Sequence, residues 1–347
     1  PQMGIVFQYP EEAVPVERRV EVTAALPVSA AAPGIGFIGA GSFARTVLLP
    51  ALARHDNVRR LALASANGVR AREAAQKFSF QTAATSAREL LALDGLDAFF
   101  IATPHSTHAA LVCEALAAGR HVFVEKPLCL QPEELDAVSE AYHQAGRILM
   151  VGFNRRFSPF AREARERLAA SSGPFSFVYR INAGPLPPGH WLARPAEGGR
   201  LVGEVCHFVD LISFLAGSLP ASVFATGSAH GDIHLQLTLE NGSSGVIHYL
   251  TTNRARLSKE RLEIFAPDLV IEMDDFLAAT WHESGKRRRR AWSRQDKGHQ
   301  AEVAAFLHAV RDGGPSPIPF DSLVRTTWAT LEAARSLRTG LPCGFST

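Results

Sequence analysis

Between residues 34 and 153, short apolar runs alternate with longer amphipathic stretches. The runs "IGFI", "RLALAS", a brief one at residues 82–84, "DAFFIAT", "HVFVE" and "RILMVGF" read as strands. The stretches between them, "SFARTVLLPALARH", "VRAREAAQKF", "SARELLAL", "STHAALVCEALAAG" and "PEELDAVSEAYHQAG", read as helices. This alternation predicts a parallel sheet with crossover helices on both faces. After residue 153 the pattern changes. One helix, "PFAREARERLAAS", precedes five strand-like segments, "FSFVYRINA", "ASVFATGSA", "IHLQLTLE", "GVIHYLTTN" and "RLEIFAP", with a hairpin turn at "ENGSSG". Helices interrupt at "GEVCHFVDLISFLAG" and return at "QAEVAAFLHAVRDG" and "SLVRTTWATLEAARSL". The expectation is an N-terminal α/β domain over residues 34–152 and an α+β domain with a mostly antiparallel sheet over residues 153–347. Residues 1–33, with an apolar run at 4–7 and then a Pro-, Ala- and Val-rich stretch, read as one strand and a tether.

Composition narrows the class. A 347-residue chain that is 46% hydrophobic can bury a sizeable core. No run of about 18 apolar residues predicts a membrane span, and the opening residues lack the regions of a signal peptide, so a cytoplasmic protein is expected. Cys113, Cys129, Cys206 and Cys343 stand far apart with no CxxC pair and read as free thiols. A net charge of +2 argues against general attraction to nucleic acid or anionic membrane. The run "KRRRR" at 286–290 reads as a solvated loop.

The segment "GIGFIGAGSFA" sets Gly39, Gly41 and Ala44 in a GxGxxA spacing, directly after a strand and before a helix. Such a turn needs a tight bend, a close backbone approach to pyrophosphate, and close helix–strand packing, in that order. In this setting it predicts a Rossmann dinucleotide-binding domain, with Ser42 and Phe43 at the phosphates. The second strand ends at Ser65, where an acid would hold the ribose hydroxyls of NAD. Ser65 and Asn67 can bond a hydroxyl, and Arg70 or Arg72 can meet a 2′-phosphate. The cofactor is therefore read as NAD(P), tilted toward NADP.

Ligands in open parallel sheets bind beyond the carboxyl ends of strands, and two such ends carry polar clusters, "IATPHSTH" and "FVEKP". Together with the Gly-rich turn, "VGFNRRFSP" and the closing "KGHQAEVAAFLHAV", these resemble the Gfo/Idh/MocA family of glucose-fructose oxidoreductase and inositol 2-dehydrogenase. The resemblance implies a Lys near both nicotinamide and the reacting hydroxyl, here Lys126, followed by a commonly cis proline, Pro127, with Glu125 in support. It places Thr103, Pro104, His105 and His108 at the cofactor and Asn154 and Arg155 in the substrate cleft.

Relatives carry a Gly pair, then an Asp, and four residues later a His that takes the substrate proton. Here "EGGRLVGEVCHFVDL" supplies Gly198, Gly199 and His207, and Gly203 stands at the Asp position. Glu204 and Asp210, one turn to either side of His207, are the candidates to orient its imidazole. The version in "INAGPLPPGHW" resembles a subgroup fused behind a zinc-type dehydrogenase, which makes such a half a possible partner of residues 1–33 and adds His190 and Trp191 as sugar contacts. The reading is an NAD(P)-dependent oxidoreductase, expected as a homo-oligomer, acting on a sugar, cyclitol or nucleotide sugar without a metal. Catalysis falls to Lys126, His207 and Glu204. Two rivals remain: a cofactor-retaining elimination enzyme, recognised by release of a free sugar, and a dinucleotide sensor, recognised by binding without turnover.

Overall fold

A computed structural model describes residues 19–22, 29, 31–171, 173–229, 231–252 and 257–345. The first sheet holds β1 (Arg19–Glu21), β2 (Gly34–Ile38), β3 (Arg59–Ala64), β4 (Thr82–Ala84), β5 (Ala98–Ile101), β6 (His121–Val124) and β7 (Leu149–Val151). Their order is β1-β4-β3-β2-β5-β6-β7, parallel throughout except for β1. Without β1 this is the doubly wound dinucleotide-binding order, whose switch point lies between β2 and β5. The expected tether therefore contains an edge strand. Val20 and Val22 pack on the first core, and Arg19–Glu21 runs antiparallel to β4. The strand predicted at residues 4–7 lies outside the described residues.

The helices are α1 (Leu49–Leu52), α2 (Gly68–Lys77), α3 (Ala87–Leu91), α4 (His108–Ala117), α5 (Pro132–Ala145), α6 (Pro159–Ala170), α7 (Cys206–Ala216), α8 (His299–Asp312) and α9 (Phe320–Thr339). Two of them begin with π-helical turns, Ala44–Leu48 before α1 and Leu201–Val205 before α7. The helix at the Gly-rich turn thus starts in a wider winding than its sequence pattern predicts.

The second sheet has nine strands: β8 (Ser176–Asn182), β9 (Pro220–Gly227), β10 (Ile233–Leu239), β11 (Ser244–Leu250), β12 (Glu260–Ala266), β13 (Leu269–Asp274), β14 (Ala278–Glu283), β15 (Lys286–Ala291) and β16 (Cys343–Gly344). It is antiparallel except where β8 pairs with β11. The run "KRRRR" is β15, paired with β14 at the sheet edge, and not a loop. Its side chains are all exposed. Charge on an edge strand also blocks pairing with another chain. One face of the sheet buries Phe177, Tyr179, Leu262 and Trp281 against α6, α7 and α9. Helix α8 returns to the first core through Val303, Phe306 and Leu307, so the two layers meet around the strand ends of the first sheet.

Candidate active site

Beyond the carboxyl ends of β2, β3 and β5 lies a cavity of about 1280 Å³ that runs from the Gly-rich turn to the helix-covered side of the second domain. At its near end Gly39 adopts φ +111°, and a Cβ there would stand 2.1 Å from the Ala102 carbonyl oxygen. Only glycine fits this turn. A Cβ on Gly41 would meet nothing within 4 Å, so its backbone faces open space. Such a cradle admits a pyrophosphate against bare backbone. Ser42, Phe43, Ala44, Ser65, Thr103 and Pro104 line the same end. Asn67 does not. Its side chain caps α2, accepting from the Arg70 amide at 3.0 Å, because Asn at an N-cap position satisfies an otherwise orphaned donor.

The strand-end motif turns sharply after β6. The Lys126–Pro127 peptide is cis, and Lys126 donates from Nζ to the Gly203 carbonyl oxygen at 2.9 Å. Glu125 lies in space that only a glycine at 152 leaves open, since a Cβ there would sit 2.7 Å from its Oε1. Burial pushes the Glu125 carboxyl up to about 7, against the pull of Lys126. Pro127 stays out of the cavity wall, and its carbonyl lies 2.7 Å from Nδ1 of the buried His108. His108 also sets Nε2 3.0 Å from the Thr103 carbonyl, and since burial favours its neutral form the ring donates to one of the two carbonyls.

His207 lines the cavity at the start of α7, with Nδ1 buried and unpartnered among the described residues. Burial, then Arg155 and Lys126, hold its imidazole well below the ordinary value, which keeps it neutral near pH 7. Neither expected orienting acid reaches it. Glu204 lines the cavity but accepts from the Tyr249 hydroxyl. Asp210 is claimed by the Arg156 guanidinium, with Nε to Oδ2 at 3.0 Å. Arg155 lines the wall yet is locked to Glu260 by two bonds of 2.8 Å, and Asn154 donates to the Lys297 carbonyl at 2.8 Å. Trp191 is on the wall. His190 is not, and its Nδ1 caps the Leu192 amide.

Several wall residues carried no individual reading in the sequence: Glu197, Tyr249, Lys259, Lys297 and His299. Burial, then Arg155 and Lys297, push His299 down to about 4. The quoted "KGH" was the available signal for Lys297 and His299. Tyr249 and Lys259 come from β11 and the approach to β12, where nothing local marks them.

A doubly wound sheet with a glycine cradle at its switch point, joined to a sheet domain that closes the other end of the cavity, is the arrangement of a dinucleotide-binding Rossmann protein. Residues 34–153 match the family model GFO_IDH_MocA, described as an oxidoreductase family with an NAD-binding Rossmann fold. The chain is 28% identical to scyllo-inositol 2-dehydrogenase (NAD(+)) of Bacillus subtilis over 79% of its length and 84% of that protein's. It is 27% identical to myo-inositol 2-dehydrogenase of Thermotoga maritima over 82% of its length and 90% of that protein's. Its fold matches that of levoglucosan dehydrogenase in complex with NADH and levoglucosan, with TM-score 0.79 at 20% identity, covering 90% of this chain and 99% of that one. Over residues 34–153 the chain thus matches the Gfo/Idh/MocA oxidoreductase family, and over most of its length it is similar to the inositol dehydrogenases.

Proposed function

We propose that this chain moves a hydride between a nicotinamide dinucleotide and a CH–OH carbon of a sugar, cyclitol or nucleotide sugar. The observation that carries the reading is that Lys126 and a neutral His207 line one cavity whose other end is the glycine cradle. The dinucleotide, held by the Gly39–Gly41 backbone and the Thr103–Pro104 edge, would supply the hydride acceptor. His207 takes the hydroxyl proton, for which its neutral form is ready. Lys126 keeps its ammonium on the substrate oxygen as negative charge develops there. Its bonded partner is a neutral carbonyl and not a carboxylate.

With no acid at Ser65, a 2′-phosphate meets no repulsion, and the proposal includes NADP as a cofactor at least as good as NAD. A zinc-type dehydrogenase half is proposed as the partner of residues 1–18, tested by whether such a half retains the full chain and not one lacking them. For the activity itself, the absorbance of reduced nicotinamide is followed with a panel of inositols, aldoses and nucleotide sugars. Lys126→Ala and His207→Ala should each lower turnover about a hundredfold, with dinucleotide affinity unchanged. Dinucleotide binding with no hydride transfer to any member would overturn the reading in favour of a sensor.

A further inference from the structure

We propose that Nε2 of His105 accepts a hydrogen bond from a second hydroxyl of the substrate, and that glycine at position 203 is what admits the His105 ring to the cavity. The inference rests on the dehydrogenase reading and assigns one substrate contact within it. His105 opens the turn His105–Thr107 beyond β5, and its ring is part of the cavity wall. Its Nδ1 lies 3.0 Å from the Glu197 carbonyl oxygen. A carbonyl only accepts, so Nδ1 carries the proton and Nε2 keeps a lone pair. Glu197 is itself fixed, since its carboxylate accepts from the Ser106 amide at 3.3 Å and hydroxyl at 3.1 Å. The Trp191 ring stands edge-on to the imidazole at 4.7 Å.

The fourth side of the ring is Gly203. A Cβ there would lie 2.7 Å from Cε1 of His105, closer than real contacts allow, with Leu192 Cδ1 at 3.0 Å and His105 Nδ1 at 3.1 Å also crowded, so a side chain at 203 requires the ring to shift. The same glycine offers its carbonyl to Lys126 at 2.9 Å. One residue thus seats the amine through its backbone and the imidazole through its missing side chain. Burial and Lys126 push the imidazolium down to about 3, so the acceptor form persists across the neutral range. Among the described residues Nε2 has no protein partner. The substrate class that satisfies it is a polyol with a hydroxyl beyond the one being oxidised.

The test uses the full chain, labelled with ¹⁵N and loaded with reduced dinucleotide, and myo-inositol, D-xylose and D-glucose as probes. His105 should show the Nδ1–H tautomer with no titration from about pH 5 to about 8, and its Nε2 resonance should move when a polyol binds. His105→Ala should raise KM about tenfold, the worth of one neutral hydrogen bond, with kcat within about threefold. His105→Gln, which returns an acceptor near the Nε2 position, should recover most of that loss. An Nε2–H tautomer, an Nε2 signal indifferent to every probe, or an unchanged KM in a folded His105→Ala variant would overturn the proposal. Hydride transfer with a silent Nε2 defeats this inference alone. A responsive Nε2 with no hydride transfer defeats the dehydrogenase reading and supports the contact.

Discussion

Glu302 of α8 is fully buried, and neither of its carboxylate oxygens has a hydrogen-bond partner among the described residues. An ionised carboxylate in that position would be very costly, so the group stays protonated. Burial, then the charges of Glu125 and Asp210, raise it well above its ordinary value of 4.5. The folded chain therefore keeps a proton that the unfolded chain releases. With the folded value raised, the stability it contributes is full below the unfolded value and is lost as pH rises toward the folded one. The slope is about 1.4 kcal/mol per pH unit for one retained proton. Glu302→Gln is neutral at every pH and removes that slope. Its buried amide adds a penalty of about 1–3 kcal/mol, but one that does not depend on pH. As pH rises above the unfolded carboxyl value, the variant should therefore gain on the wild type along that slope for as long as the folded carboxyl keeps its proton. Urea denaturation of both proteins at closely spaced pH values, followed by fluorescence and circular dichroism, measures the difference, and the buried histidines cancel in it. Parallel stability curves would refute the reasoning, because they would show that Glu302 is ionised in the fold.

Arg156→Ala should cost about 3–5 kcal/mol, since it strands the fully buried Asp210, and thermal unfolding with Asp210→Leu added should recover much of the loss. Fluorescence titration should show NADPH binding at least as tightly as NADH, and a strong preference for NADH would mean that Ser65 holds the ribose hydroxyls directly. Deleting residues 1–18 should leave the melting temperature unchanged, whereas deleting 1–22 removes β1, frees the β4 edge and should lower it by about 2–6 °C. Equal melting of the two deletions would show that β1 contributes nothing to the fold.

The alternation of strands and helices was legible because each strand of the first sheet is a nearly continuous apolar run, as burial on both faces requires. β1 was not, since three residues in "ERRVEV" carry too little apolar signal, and its place comes from backbone pairing with β4. β15 was misread for a related reason. Five successive cations show no alternation, yet their backbone pairs with β14, and Arg290 reaches Glu163 at 2.9 Å. In the site, Lys126 and His207 were visible from motif frames alone. Glu204 was placed beside His207 on the spacing of an α-helix, but Leu201–Val205 winds as a π-turn, which rotates the face and turns Glu204 to Tyr249. Asp210 had the right spacing. What local sequence could not show was that Arg156, 54 positions away, would claim it first.

The division of labour among the cations follows from where the carboxylates stand. Glu260 takes two bonds from Arg155 at 2.8 Å, one from Lys297 at 2.7 Å and the Tyr179 hydroxyl at 2.6 Å. Burial works against its charge, but Arg155 and Lys297 outweigh it and hold the carboxyl far below its ordinary range. So tied, Arg155 serves as a fixed source of positive field, and a substrate would have to break a buried ion pair to recruit it. Lys126 is held differently, by a single neutral carbonyl that can be exchanged for a substrate oxygen at little cost. Burial, and after it the field of the fixed cation, keeps His207 unprotonated; in the proposed reaction the loosely held Lys126 would meet the negative charge that appears on the substrate oxygen as His207 takes its proton. At position 203 the chain has a glycine, and the neutral ring of His105 occupies the space a side chain there would need.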